Sequence, residues 1–115
     1  MKREERAQQL WSILVLAARN RQVLTYEIVA QACGAPPPSI GDFLRPIQQY
    51  CSEANLPPLT SIIVNKNTGL PGEGFIAAEN VPLAQIETFS ADWLSLPAPS
   101  AEQLADSYSR APNRR

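Results

Sequence analysis

The chain has 115 residues, 44% of them hydrophobic, and a formal net charge of −1. One domain of that size can bury an apolar core without disulfides or metal. Its two cysteines, Cys33 and Cys51, do not make a secreted disulfide framework and are expected to be buried free thiols in a reducing compartment. There is no histidine, which removes the commonest metal ligand and the usual general base for a serine or cysteine nucleophile.

From Glu4 to about Asn20 there is no proline or glycine, and Ala7, Leu10, Leu14 and Ala17 or Ala18 recur at helical spacing, so a first helix is expected there. Its acidic start and its Arg19 and Arg21 finish suit the helix dipole. The apolar run Leu10 to Ala18 follows basic residues, but Glu4, Glu5, Gln8 and Gln9 intervene and the run is too short to span a bilayer. The reading is a cytoplasmic helix, with a signal peptide as the lesser alternative. Gln22 to Leu24 reads as a short extended piece. Thr25 reads as the N-cap of a helix from Tyr26 to Cys33, stopped by Gly34. Pro36 to Pro38 make a stiff connector, after which Ser39 is expected to cap a third helix running to about Ala54, kinked or interrupted at Pro46.

Leu56 to Phe75, LPPLTSIIVNKNTGLPGEGF, reads as a strand from Thr60 to Val64, a long turn through Asn67, Gly69, Pro71, Gly72 and Gly74, and a return strand: a β-hairpin. The glycines superficially suggest a phosphate loop. Such loops lead from a strand into a helix, whereas the sequel here is apolar and strand-like, so a hairpin turn is the better reading. Val81 to Leu96 reads as a helix or an irregular strap on the core, with Phe89 and Trp93 as core anchors. Ser100 and Gln103 form a capping-box pattern for a last helix, Ala101 to Tyr108, followed by a basic flexible tail at 110–115. The fold class is therefore α+β: a small winged-helix-like domain over residues 1–109, with about four helices and a β-hairpin.

Charge is unevenly spread. Residues 1–21 and 110–115 are each +3, while residues 22–109 hold nine carboxylates against only Arg45 and Lys66. Carboxylate pairs such as Glu87 and Asp92 match no ligand spacing and read as solvated surface, and Ser61 lacks a histidine to activate it. No metal, cofactor or enzymatic activity is expected.

The order of helix, Thr-Tyr-Glu helix, proline turn, helix, LPPLTSIIV strand and glycine turn resembles the winged-helix DNA-binding domain of the O6-alkylguanine-DNA alkyltransferases and their alkyltransferase-like relatives. The likeness covers about residues 22–76. Thr25 and Tyr26 match the family's Thr-Tyr-Gly helix start, Pro38, Ser39, Ile40 and Gly41 fall at its recognition-helix start, and Gly74 and Phe75 at its glycine turn. Ser61 stands at the alkyl-accepting cysteine, Ile62 at its activating histidine and Pro38 at the base-flipping arginine, so alkyl transfer is not expected. The chain also resembles a group of small uncharacterised bacterial and prophage proteins sharing this segment and a later Phe89, Asp92 and Trp93 element.

Two readings of function follow. The first is a non-catalytic binder of double-stranded DNA, with Tyr26, Ser39, Arg45 and Lys66 at the nucleic acid. The second is a protein-interaction or regulatory module that offers its acidic C-terminal half, with Glu87, Asp92 and Trp93, to a basic partner.

Overall fold

A computed structural model describes residues 2–72, 75 and 79–112. Among these the chain is α+β: five α-helices and a two-stranded parallel sheet. The helices are α1 (Arg3–Arg19), α2 (Tyr26–Cys33), α3 (Ile40–Glu53), α4 (Val81–Ser90) and α5 (Ala101–Ser109), and the strands are β1 (Leu24–Thr25) and β2 (Ile63–Val64). No helix among the described residues is long and apolar enough to cross a membrane.

Helix α1 is the pillar of the molecule. Ala7, Leu10, Leu14 and Ala18, spaced three or four apart, are buried along one side, and Trp11, Val15 and Ala17 widen that stripe. A helix buried over so wide an arc needs neighbours around it, and α1 packs against α2, α3, α4 and α5. Trp11 sits edge-on to both Tyr50 of α3, with ring centres 5.6 Å apart, and Trp93, at 5.7 Å, a favoured aromatic geometry.

Helix α2 begins and ends as its sequence dictates. Thr25 Oγ1 accepts a hydrogen bond from Ile28 N at 3.2 Å, and Gly34 takes the left-handed conformation at φ +71°. The connector to α3 differs from expectation. Pro37–Ser39 form a 3-10 turn in which Ser39 is already helical, and its hydroxyl donates back to Pro36 O at 2.6 Å. Ser39 therefore does not cap α3 with its side chain. Nor is α3 interrupted at Pro46, which is buried within an unbroken helix.

The larger correction is at the expected strand from Thr60 to Val64. Leu59–Ile62 form a 3-10 turn, started by Ser61 N donating to Pro58 O at 2.9 Å, and all four residues are buried. Within Thr60–Val64 only Ile63 and Val64 are extended, and they pair in parallel with Leu24 and Thr25. The loop beyond is closed by Asn65 N donating to Leu70 O and Gly69 N donating to Asn65 O, each 2.8 Å, with Gly69 at φ +71°. The expected return strand after Gly74 lies outside the described residues, apart from Phe75, which is in no strand.

Helix α4 stops at Ser90, and a 3-10 turn at Trp93–Ser95 follows in place of a longer helix. Thr88 ties this segment down. Its hydroxyl lies 2.8 Å from Ala84 O, 3.1 Å from Pro58 O and 3.3 Å from Ser61 Oγ, while Trp93 Nε1 donates to Thr88 O at 2.7 Å. Helix α5 starts with the expected capping box: Gln103 N donates to Ser100 Oγ, and Ser100 N donates to Gln103 Oε1. Leu104, Ser107 and Tyr108 then pack this helix against α1 and α3.

Candidate nucleic-acid interface

Helix α3 lies with Ile40, Leu44, Ile47 and Cys51 toward the core. The neighbouring stripe, about 100° round the helix, carries Gly41, Arg45, Gln48 and Ser52, again spaced by three and four, of which Gly41, Arg45 and Ser52 are exposed. Beside this stripe is a cavity of about 40 Å³, bounded by Gly41, Leu44, Arg45 and Gln48 of α3, Tyr26 of α2, Thr60, and Phe75. Thr60 is only 4% exposed, and its Oγ1 has no hydrogen-bond partner among the described residues. One water needs roughly 10–15 Å³, so the space admits a small polar group that would satisfy this hydroxyl.

Tyr26 closes one side. Its hydroxyl accepts a hydrogen bond from Gly72 N at 2.9 Å, which fastens the loop after β2 to the start of α2. Only glycine permits that approach, since a Cβ at position 72 would stand 2.6 Å from the phenolic oxygen.

The electrostatics of α3 are set by residues far away in sequence. The helix carries Asp42, Arg45 and Glu53. Arg3 Nε donates to Asp42 Oδ2 at 2.9 Å, and that bond raises the pKa of Arg3. The Arg3 guanidinium also stands over the ring of Tyr108, 4.8 Å from its centre. At the far end Arg110 grips Glu53 with two hydrogen bonds of 2.8 Å, and this pairing, helped by Gln49, holds the carboxyl down at about 2. Both carboxylates of α3 are thus ion-paired, and Arg45 has no ion-pair partner among the described residues.

Of the residues expected at nucleic acid, Tyr26 and Arg45 meet at the cavity. Lys66 is exposed on the loop after β2 but does not line the cavity, and Ser39 is half-buried with its hydroxyl on Pro36 O. Thr60, Gln48 and Phe75 are not among the site residues expected from the sequence; the spacing of Gly41, Arg45 and Gln48 was the available signal for one shared face. On the second expected surface Glu87 and Asp92 are exposed. Trp93 is not a surface residue: it is 1% exposed, held by Trp11 and by Thr88 O, so it anchors the core instead of meeting a partner. The expected tail begins with Arg110 on Glu53; residues 113–115 lie outside the described part.

The site holds no activated nucleophile among its described residues. Ser61, at the position of the alkyl-accepting cysteine in the resemblance, is fully buried against Thr88. Burial pushes the Cys51 thiol up to about 12, which leaves it protonated and inert at neutral pH. Cys33 is also a free thiol but is only half-buried. No metal-binding cluster of His, Cys, Asp or Glu occurs among the described residues. Compared with known proteins, the chain matches no family model, no curated protein and no solved structure.

Proposed function

We propose that the chain is a non-catalytic nucleic-acid-binding protein of winged-helix type that sets α3 against a DNA duplex. The observation that carries the reading is the pairing of Asp42 with Arg3 and of Glu53 with Arg110. It converts a helix that is acidic by count into one on which Arg45, exposed on the flank with Ser52, is the charge without an ion-pair partner among the described residues. Arginine side chains suit phosphate and base-edge contacts, and phosphate neutralisation supplies most sequence-independent affinity. The element order supports the winged-helix frame: β1 separates the first two helices, and the loop after β2 brings Phe75 against α3. In this reading Arg45 and the loop residue Lys66 contact phosphates, and Tyr26 acts mainly by clipping that loop in place.

Fluorescence anisotropy with a labelled mixed-sequence duplex, across a salt series, tests this. Binding should weaken steeply with salt, and Arg45→Ala and Lys66→Ala should each flatten the slope of log K against log salt by about 0.9. Neither residue is part of the core, so melting temperatures should hold. Absence of binding at low salt, or a slope unchanged by both substitutions, overturns the proposal.

A further inference from the structure

Helix α4 leaves two of its large apolar side chains in water. A surface helix normally turns its large apolar residues to the core and its polar ones to water. Here the buried positions are Ala84 and Thr88, one small and one polar, while Leu83 is 50% and Ile86 59% exposed. Leu83 and Ile86, three apart, share the outer face, and Leu94 just beyond the helix is 61% exposed. Leu70, also exposed, lines a groove with Glu79, Val81 and Pro82 at the N-terminal end of the same helix. Phe89 packs α4 against the core, and hydrogen bonds fasten it further: the Thr88 hydroxyl on its three partners, and Gln85 Nε2 donating to Ser61 O at 2.9 Å. Leu83 and Ile86, unlike Phe89, are not spent on packing within the chain, and exposed large apolar side chains grouped on one helix face mark an interaction site.

The rim says what chemistry covers it. Glu79, Glu87 and Asp92 are exposed and have no ion-pair partner among the described residues, and positions 76–109 contain no lysine or arginine at all. A second copy docking by the same face would set these carboxylates against themselves, since a two-fold contact pairs each patch with its own kind. Phosphate-bearing surfaces, whether nucleic acid or anionic lipid, are repelled in the same way. We propose that the outer face of α4 and the turn after it dock a basic amphipathic helix of a protein partner, its apolar stripe on Leu83, Ile86 and Leu94 and its lysines or arginines on Glu87 and Asp92. This surface is independent of the DNA-binding reading of α3.

The probe is a labelled synthetic helical peptide with leucines at helical i, i+3, i+4 and i+7 spacing and lysines elsewhere, compared with the same peptide carrying glutamates for lysines. The full chain should bind the lysine peptide with a Kd on the order of 10 μM and the glutamate peptide at least about tenfold more weakly. Ile86→Ser should weaken lysine-peptide binding about tenfold without lowering the melting temperature, because the side chain is already in water. The double variant Glu87→Lys, Asp92→Lys should reverse the preference between the two peptides. Hydrogen exchange with bound peptide should show new protection at 81–96. Equal binding of both peptides, no binding of either, insensitivity to Ile86→Ser, or protection confined to other segments overturns the proposal. So does a dimer in sedimentation equilibrium that Ile86→Ser dissociates, which would give the face to a second copy.

Discussion

Replacing Thr88 by valine would test how the C-terminal half is fastened to the body. The two side chains have nearly the same shape, so the change removes a hydroxyl and little else. That hydroxyl has one proton to share between Pro58 O and Ala84 O, and it is within reach of Ser61 Oγ, whose residue is fully buried. In the valine variant the Ser61 hydroxyl is left without this partner, at about 1–3 kcal/mol for an unsatisfied buried group, and the bond to Pro58 O is lost at about 1 kcal/mol. The carbonyl of Ala84 keeps its place in the helix ladder, so little is added there. The expected loss is about 2–3 kcal/mol, which for a domain of this size lowers Tm by about 10 °C. Chemical denaturation of Thr88→Val, Ser61→Ala and the double variant measures the coupling. The double variant should cost about 1 kcal/mol less than the two single changes together, because removing Ser61 Oγ removes the orphan that Thr88→Val creates. A loss under about 0.5 kcal/mol in Thr88→Val, or strict additivity, refutes the view that this buried hydroxyl pair anchors α4.

Gly72→Ala should cost about 1–2 kcal/mol in denaturant melts, since the new methyl meets the Tyr26 hydroxyl 2.6 Å away; in a Tyr26→Phe background, which removes that oxygen, most of the penalty should vanish. Glu53 sits at about 2, below its ordinary value, so its contribution to stability is complete above about pH 4.5 and is lost as pH falls toward 2. Arg110→Ala should return the Glu53 carboxyl toward the usual carboxylate range in an NMR titration and flatten stability across that acidic window; an unchanged Glu53 titration would mean that Arg110 does not hold it.

Elements marked by local chemistry were legible in the sequence. Thr25 and Gly34 bracket α2 because a side-chain cap and a left-handed glycine act within one turn of the chain, and Ser100 with Gln103 opens α5 for the same reason. The extent of the strand expected from Thr60 to Val64 was not legible. Thr60, Ile62, Ile63 and Val64 are β-branched and read as a strand, yet their enrichment in sheets reflects half-buried surroundings more than backbone preference. Here Leu59 to Ile62 are buried on every side, so nothing demands alternation, and the carbonyl of Pro58 starts a 3-10 turn. What remains of the strand pairs with Leu24 and Thr25, a partner chosen by tertiary packing and invisible to a local reading. At Ser39 the proline run had already bent the chain into a helical turn, which left no extended residue to cap. Pro46 is accommodated because it is buried in the packed body of the molecule, where neighbouring contacts offset the one backbone hydrogen bond it cannot make.

The linear distribution of charge pointed to the chain ends as the basic parts and the middle as the acidic part, and taken alone it argued against nucleic acid. Folding redistributes that charge. Arg3, near the start of the chain, and Arg110, near its end, are both brought to α3, where they neutralise the two carboxylates that would have repelled phosphate. The acidic residues of α4 and the turn after it receive no such partner among the described residues. Among the described residues a chain whose total is −1 thus leaves Arg45 as the charge without an ion-pair partner on α3, and carboxylates without one beside the exposed apolar residues of α4. Two surfaces of opposite character select partners of opposite character. Neither can be inferred from net charge, because what a partner meets is the residue left over after the internal pairs have formed.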